Sequence, residues 1–230
     1  MGLWREHVLP RLVHRAMSAP HVRAERERWL AGVHGRILEI GFGSGLNLPH
    51  YTAAVTQVLA VEPSALAVRL ARRRIEASPI PVAFVGLDGE NLPFDDASLD
   101  AVVSTWTLCT IPHAGGALAE IRRVLRPGGR FHFIEHGRSP EPAVSRWQDR
   151  LTPLQKRLAG GCHLNRRIDE LIRAADLSIE RLENFYLKGP RVACYHYAGV
   201  ATRPEVSQHL DPEHSKEPAQ VLPPEGLTRG

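Results

Sequence analysis

The chain lacks any run of about 18 apolar residues, the length needed to cross a bilayer, so no transmembrane helix is expected. Arg5, Glu6, Arg11 and Arg15 interrupt its first residues, which leaves no apolar block of the kind a signal peptide carries. Cysteine is scarce. Cys109, Cys162 and Cys194 lie far apart along the chain without metal-ligand spacing, which excludes a disulfide scaffold and fits a reducing cytoplasm. No grouping of His, Asp and Glu at ligand spacing is apparent either, so no metal is expected. There is no basic run: 29 Lys and Arg stand against 25 Asp and Glu for a net charge of +4, with the arginines dispersed among acids, so no nucleic-acid partner is expected. Nor is there an internal repeat. What remains is 230 residues, 43% hydrophobic and 23% charged, enough for one sizeable α/β domain with extensions.

The stretch that organises this chain is Gly35-Arg-Ile-Leu-Glu-Ile-Gly-Phe-Gly-Ser-Gly-Leu-Asn47. An apolar strand over residues 36–40 carries the carboxylate of Glu39 and then breaks into Gly41, Gly43 and Gly45. Alternate glycines admit positive φ and leave no Cβ where a ligand must come close to the backbone. A strand, a glycine loop and a helix at the start of an α/β unit form a nucleotide-binding junction. A dinucleotide fingerprint would need a third Gly or Ala at the place of Leu46, so NAD is disfavoured. A carboxylate at Glu39 prefers a cationic ligand to a pyrophosphate, which seeks a helix N-terminus.

Along the chain, Trp4, Val8 and Leu12 give residues 3–17 an amphipathic helical spacing. Such a helix serves as a lid over the ligand, as a surface touching a membrane interface, or as packing on the domain's edge. Residues 22–31 read as a second, charged helix. A short helix is expected over 46–54, a strand over 55–61 closed by Glu62, and a helix over 65–77 whose Arg69, Arg72, Arg73 and Arg74 face water. Glu62 lies about 20 residues past the glycine loop, the spacing at which an acid reaches ribose hydroxyls. Further strands are expected over 81–85, 98–104 and 131–135, the last preceded by a helix that Arg126-Pro-Gly-Gly129 terminates. A helical insertion over 141–160, a helix capped by Asn165, and a reversed strand pair over 178–186 and 192–200 complete the domain. The expected fold is a three-layer, Rossmann-like doubly wound α/β sheet, mostly parallel, with a C-terminal antiparallel strand. Residues 1–34 form an N-terminal helical extension or lid, 35–202 the domain, and 203–230 a tail expected to be disordered.

The glycine loop and the segment Val124-Leu-Arg-Pro-Gly-Gly-Arg-Phe131 resemble the class I S-adenosylmethionine-dependent methyltransferases. That resemblance implies S-adenosylmethionine as cofactor. Its methionine end would be held by Glu39, Gly41, Gly43, Gly45 and Asn47, its ribose by Glu62 and Pro63, and its adenine by Asp88 with Gly89 and Glu90. Ligands of doubly wound sheets sit outside the carboxyl ends of the strands, which places Thr105, Trp106 and Cys109 at the reaction chamber. His136, at another strand tip, and His163 are candidates for a base or an orienting group. Cys109 and Cys162 are expected to be small packing residues.

The runs Ser104-Thr-Trp-Thr-Leu-Cys109, Glu135-His136 and Gly161-Cys-His-Leu-Asn165 further resemble the methyltransferase-like thiol methyltransferases. This implies a small, rather apolar thiol as acceptor. His163 departs from that subgroup's pattern, whose loop has asparagine there, and the chain lacks the subgroup's apolar anchor. Quinone C-methyltransferases and phospholipid N-methyltransferases share the cofactor half and remain alternatives, as does a cofactor-binding protein without turnover. In the quinone or lipid case Trp147 would join the N-terminal helix in facing the substrate. The expected partner is a small-molecule acceptor, with the protein a cytoplasmic monomer or homodimer and membrane contact not required.

Overall fold

Seven strands form one sheet in the order β3-β2-β1-β4-β5-β7-β6. In chain order they are β1 (Gly35–Ile40), β2 (Val55–Val61), β3 (Val82–Gly86), β4 (Leu99–Thr105), β5 (Leu125–His136), β6 (Ser178–Tyr186) and β7 (Tyr195–Thr202). The computed structural model describes residues 2–86 and 88–205. Most of the expected disordered tail, from residue 206 on, lies outside the described residues. All neighbours pair in parallel except β7, which runs antiparallel to both β5 and β6. The expected doubly wound sheet with a reversed C-terminal strand is the observed one.

Strands buried on both faces read as continuous apolar runs, and β1 shows why. Leu38 and Ile40 join one core with Leu59, Val61, Val102 and Phe133, while Ile37 joins another with Val58, Ala60, Ala101 and Val103. The first core is closed by α4 (Ala114–Val124) and α6 (Ile168–Ala174), through Leu118, Ile121, Ile168 and Ile172. The second is closed by α2 (Pro20–Leu30) and α3 (Ala65–Ala77), through Leu30 and Ala71. Each fully buried Leu or Ile contributes about 1.5–3 kcal/mol of transfer free energy. The two remaining helices, α1 (Leu9–Met17) and α5 (Pro142–Leu158), carry exposed apolar side chains, among them Leu12 and Leu158.

Four local expectations differ from what is found. The helix over 46–54 is one 3₁₀ turn, Leu48–His50, because Pro49 offers no N–H and Asn47 and Tyr51 turn inward to Glu39. Arg126-Pro-Gly-Gly129 follows the end of α4 at Val124 but lies inside β5 as a bulge: Gly128 takes φ +74°, and the register against β4 jumps from Leu99↔Leu125 to Ala101↔Arg130. Asn165 caps nothing: its amide donates to Asp149, and α6 starts later, at Ile168. Arg74 leaves solvent to donate to the Ser44 carbonyl, so the helix bearing it grips the glycine loop.

Candidate functional site

Strand order reverses between β1 and β4, whose ends lie side by side with Ile40 opposite Ser104. A crevice must open where the following segments diverge to opposite faces. After Ile40 the chain turns through Gly41 at φ +75° and Gly43 at φ +58°. A Cβ on Gly41 would stand 1.9 Å from Thr107 Oγ1, so this glycine lets the two strand ends approach. A Cβ on Gly43 would meet nothing nearer than the Gly41 carbonyl at 3.8 Å. Gly43 is bare toward open space.

That space is a cavity of about 350 Å³ lined by Glu39, Phe42, Gly43, Asn47, Glu62, Thr105 and Trp106. Glu39 is 1% exposed and accepts from Asn47 Nδ2 at 2.8 Å and Tyr51 Oη at 2.7 Å. Asn47 also donates to Thr105 Oγ1 at 3.0 Å and accepts from Arg26 Nε at 2.9 Å. Burial pushes the Glu39 carboxyl up to about 7, against the opposing pull of Tyr51, Asn47 and Arg26. Arg26 is itself lowered to about 10 by burial, and its guanidinium lies 4.6 Å from the Trp106 ring centroid. Glu62, at the end of β2, accepts from the backbone N–H of Gly43 and of Ser64, each at 2.7 Å. Burial raises its carboxyl above the usual range, and the two backbone donors oppose that shift. Glu62 therefore braces the glycine loop as well as facing the cavity.

A second space of about 540 Å³ continues past the same loop, lined by Gly41, Pro63, Asp88, Gly89 and Glu90 with Ile40, Val61 and Ile111. Asp88 is exposed and accepts from Glu90 N at 2.8 Å and Asn91 Nδ2 at 3.1 Å, which hold its carboxyl below the usual range. The expected cofactor residues thus fall into two adjoining spaces on the carboxyl side of β1 and β2. Gly45 is the exception: its place is held by packing, with a Cβ there 3.3 Å from Phe42 and 3.4 Å from Ala71.

Trp106 separates the first cavity from a third space of about 510 Å³ and lines both. Its φ is +53° and its N–H donates to the Ile134 carbonyl at 2.7 Å, turning the ring across the sheet end. The indole Nε1 is buried without a partner. This third chamber is walled by Val13, Ala16, Met17, Ala19 and Val22 from the N-terminal helices, by Leu187 and Ala193, and by Cys109, His136, Cys162, Cys194 and His196. Among the described residues no Asp or Glu lines it; Lys188 does. The N-terminal segment thus lines both this chamber and the first cavity. His14 Nδ1 lies 2.7 Å from Ser44 Oγ, and Trp4 Nε1 donates to the Leu158 carbonyl at 2.8 Å.

His136 reaches the chamber from the tip of β5, 5% exposed, as its strand position implied. Two expected residues do not. Trp147 is 55% exposed on the outer face of α5, with Arg150 stacked 5.4 Å from its ring, because the inner face of that helix is given to Ser145, Gln148 and Thr152. His163 lies behind the loop with Nδ1 3.2 Å from the Cys109 carbonyl, outside the chamber lining.

Cys109 and Cys162, distant in sequence, are brought to 3.8 Å between sulfurs, with Cys162 Sγ 3.4 Å from His136 Nδ1. The two residues expected to be small packing cysteines thus touch each other and an imidazole. Cys109, the more buried thiol, is pushed up, and Cys162 is pulled down by Cys109 and His136.

Sequence reading missed three residues. Arg26 looks like any other charge in Arg23-Ala-Glu-Arg-Glu-Arg28, and His14 carries no motif. Glu135 is fully buried and accepts from Ser104 Oγ and the N–H groups of Thr107, Leu108 and Cys109. It fixes the loop that presents Trp106 and Cys109; its signals were a charge at the end of an apolar run and its place beside His136 in a run that carries the resemblance.

The site can be set beside known proteins. Residues 38–133 match the methyltransferase domain family. Thiol S-methyltransferase TMT1B of Rattus norvegicus is 34% identical over 155 residues, 64% of this chain and 62% of the relative. Demethylmenaquinone methyltransferase of Clavibacter sepedonicus is 37% identical over 128 residues, 55% of this chain and 52% of the relative. The chain thus spans less than two thirds of the length of these curated relatives. Among solved structures, phosphoethanolamine N-methyltransferase 2 of Haemonchus contortus, in complex with phosphomonomethylethanolamine and S-adenosylhomocysteine, has the same fold. Its TM-score is 0.68 at 14% identity, covering 88% of this chain and 60% of that one. Among the described residues no helix is long and apolar enough to cross a membrane.

Proposed function

We propose that this chain, whose residues 38–133 match the methyltransferase domain family, is an S-adenosylmethionine-dependent enzyme that methylates a small, rather apolar acceptor, with a thiol first. The observation that carries the reading is the third chamber. It abuts the cofactor cavity at Trp106 and Thr110, its wall is largely apolar, and among the described residues no carboxylate faces it. An amine or quaternary ammonium acceptor calls for a carboxylate or an aromatic cage. A thiol needs neither: its reactive form is an anion, which Lys188 at the wall and a nearby cation favour.

The residues present fit the cofactor. Gly43 leaves its floor open, acidic side chains suit a cationic ligand, and the Trp106 indole N–H is an orphaned donor at the wall. When bound, S-adenosylmethionine supplies an electrophilic methyl on a sulfonium. Glu39, through its contacts with Asn47 and Tyr51, fixes a negative centre for the methionine end. Glu62 takes the ribose with oxygen lone pairs its two backbone donors leave free, and Asp88 takes the adenine amino group. The α1 lid excludes water, and the held geometry supplies the proximity on which an in-line displacement depends. His136 orients the acceptor or receives its proton.

The similarity to a demethylmenaquinone methyltransferase supports a second reading, methylation of a quinol carbon. Purified protein incubated with S-adenosylmethionine and, separately, a small alkyl thiol, a phenol and a quinol decides between them, read as S-adenosylhomocysteine formed and methylated product by mass spectrometry. Turnover of the thiol is expected. Turnover of the quinol alone replaces the thiol reading, and none with any acceptor leaves a cofactor-binding protein.

A further inference from the structure

Cys109 follows β4, His136 ends β5, and Cys162 sits in the loop between α5 and α6. The tertiary fold alone brings them together. The sulfurs are 3.8 Å apart, Cys162 Sγ is 3.4 Å from His136 Nδ1, and one donor atom from each residue lies within 4.8 Å of the others. Among the described residues this is the one such grouping of His, Cys, Asp and Glu. A disulfide would place the sulfurs about 2.05 Å apart. Tetrahedral zinc, with Zn–S near 2.3 Å and Zn–N near 2.0–2.1 Å, spaces two sulfurs by about 3.8 Å and a sulfur and a nitrogen by about 3.6 Å.

We propose that Cys109, Cys162 and His136 form a binding site for a soft transition-metal ion, Zn²⁺ or Cu⁺ in class, in the wall of the acceptor chamber. Two thiolates and an imidazole suit those ions, whereas Mg²⁺ and Ca²⁺ require oxygen ligands, and among the described residues no carboxylate lines this chamber. Nδ1 is the His136 nitrogen that faces Cys162 Sγ, and the neutral tautomer protonated at Nε2 offers the Nδ1 lone pair to the metal. All three residues line the chamber, so three protein ligands leave the fourth position facing it, the arrangement of reactive rather than structural zinc. In this role His136 is a ligand and the metal, not the imidazole, acidifies a donor bound at the open position. The site stands whatever the acceptor of the methyl group.

The test is a titration of the reduced, chelator-treated full chain with Co²⁺ alone under nitrogen. One equivalent is expected to saturate the intense visible bands of tetrahedral cobalt together with near-ultraviolet thiolate charge transfer, and one equivalent of Zn²⁺ to bleach both. Cys162→Ser and Cys109→Ser should each lose roughly half or more of the charge-transfer intensity, since each removes one of two thiolates. Cys194→Ser, whose sulfur is outside the grouping, should keep all of it. S-adenosylhomocysteine binding reports whether each variant is folded. Weak octahedral bands without charge transfer in the wild-type protein overturn the proposal without recourse to any variant, as does charge transfer of full intensity in folded Cys162→Ser.

Discussion

Replacing Glu62 by Ala tests both jobs that this side chain holds. Its two oxygens each accept a backbone N–H at 2.7 Å, from Gly43 and Ser64. A hydrogen bond to a charged group contributes about 1.5–3 kcal/mol. Water entering from the cavity replaces part of that loss, and removing a buried carboxylate recovers its desolvation cost, so the net destabilisation expected is about 2 kcal/mol. Urea denaturation followed by circular dichroism measures it. On the cofactor side, two ribose hydroxyls donating to a carboxylate are worth about 3–6 kcal/mol at the same rate, an affinity loss of roughly 10²- to 10⁴-fold. Calorimetric titration with S-adenosylhomocysteine reads that directly, and Glu62→Gln should fall between wild type and Ala in both measurements. Unchanged affinity in Glu62→Ala would refute the ribose assignment. Unchanged stability would refute the bracing of the glycine loop, and the two results are independent.

Gly41→Ala should cost far more stability than Gly43→Ala, since the first drives a Cβ to 1.9 Å from Thr107 and the second adds only left-handed strain of about 1–2 kcal/mol. Thermal melts that rank them the other way would reverse the roles given to these two glycines. Glu39, raised to about 7, holds a proton in the folded chain that the unfolded chain releases near 4.5, so its contribution to stability declines as pH rises across that interval. A cationic ligand favours the ionised form, so S-adenosylmethionine binding below pH 7 should release a proton and tighten as pH rises toward 7; calorimetry in buffers of different ionisation heat checks this, and Glu39→Gln should flatten the profile. Trp147→Ala should alter stability by no more than about 0.5 kcal/mol and leave kcat/KM unchanged, because the ring is on the outer face of α5. A raised KM in that variant would return Trp147 to the substrate path.

The sequence by itself determined the sheet and the cofactor side. Apolar runs of strand length ended by Glu39 and Glu62, with Gly41 and Gly43 between them, specify a doubly wound unit and the end of it where a ligand sits, because strand direction and loop chemistry are local properties. Glu39, Glu62 and Thr105 line one cavity at that end of the sheet, and Asp88, expected there from the resemblance, lines the adjoining one. Helix boundaries near Pro49 and Asn165 were not legible, since side chains there answer to Glu39 and Asp149 rather than to their neighbours in sequence; nor was the bulge at Arg126-Pro-Gly-Gly129, which follows from the register of β4. The third chamber, by contrast, is assembled by packing. Whether Trp147 faces in or out depends on which side of α5 packs, and Arg26 becomes buried only because α2 lies across the end of the sheet. Two thiols 53 residues apart meet an imidazole because β4, β5 and the loop after α5 converge on one point. That convergence is a property of packing in three dimensions, and no spacing along the chain encodes it.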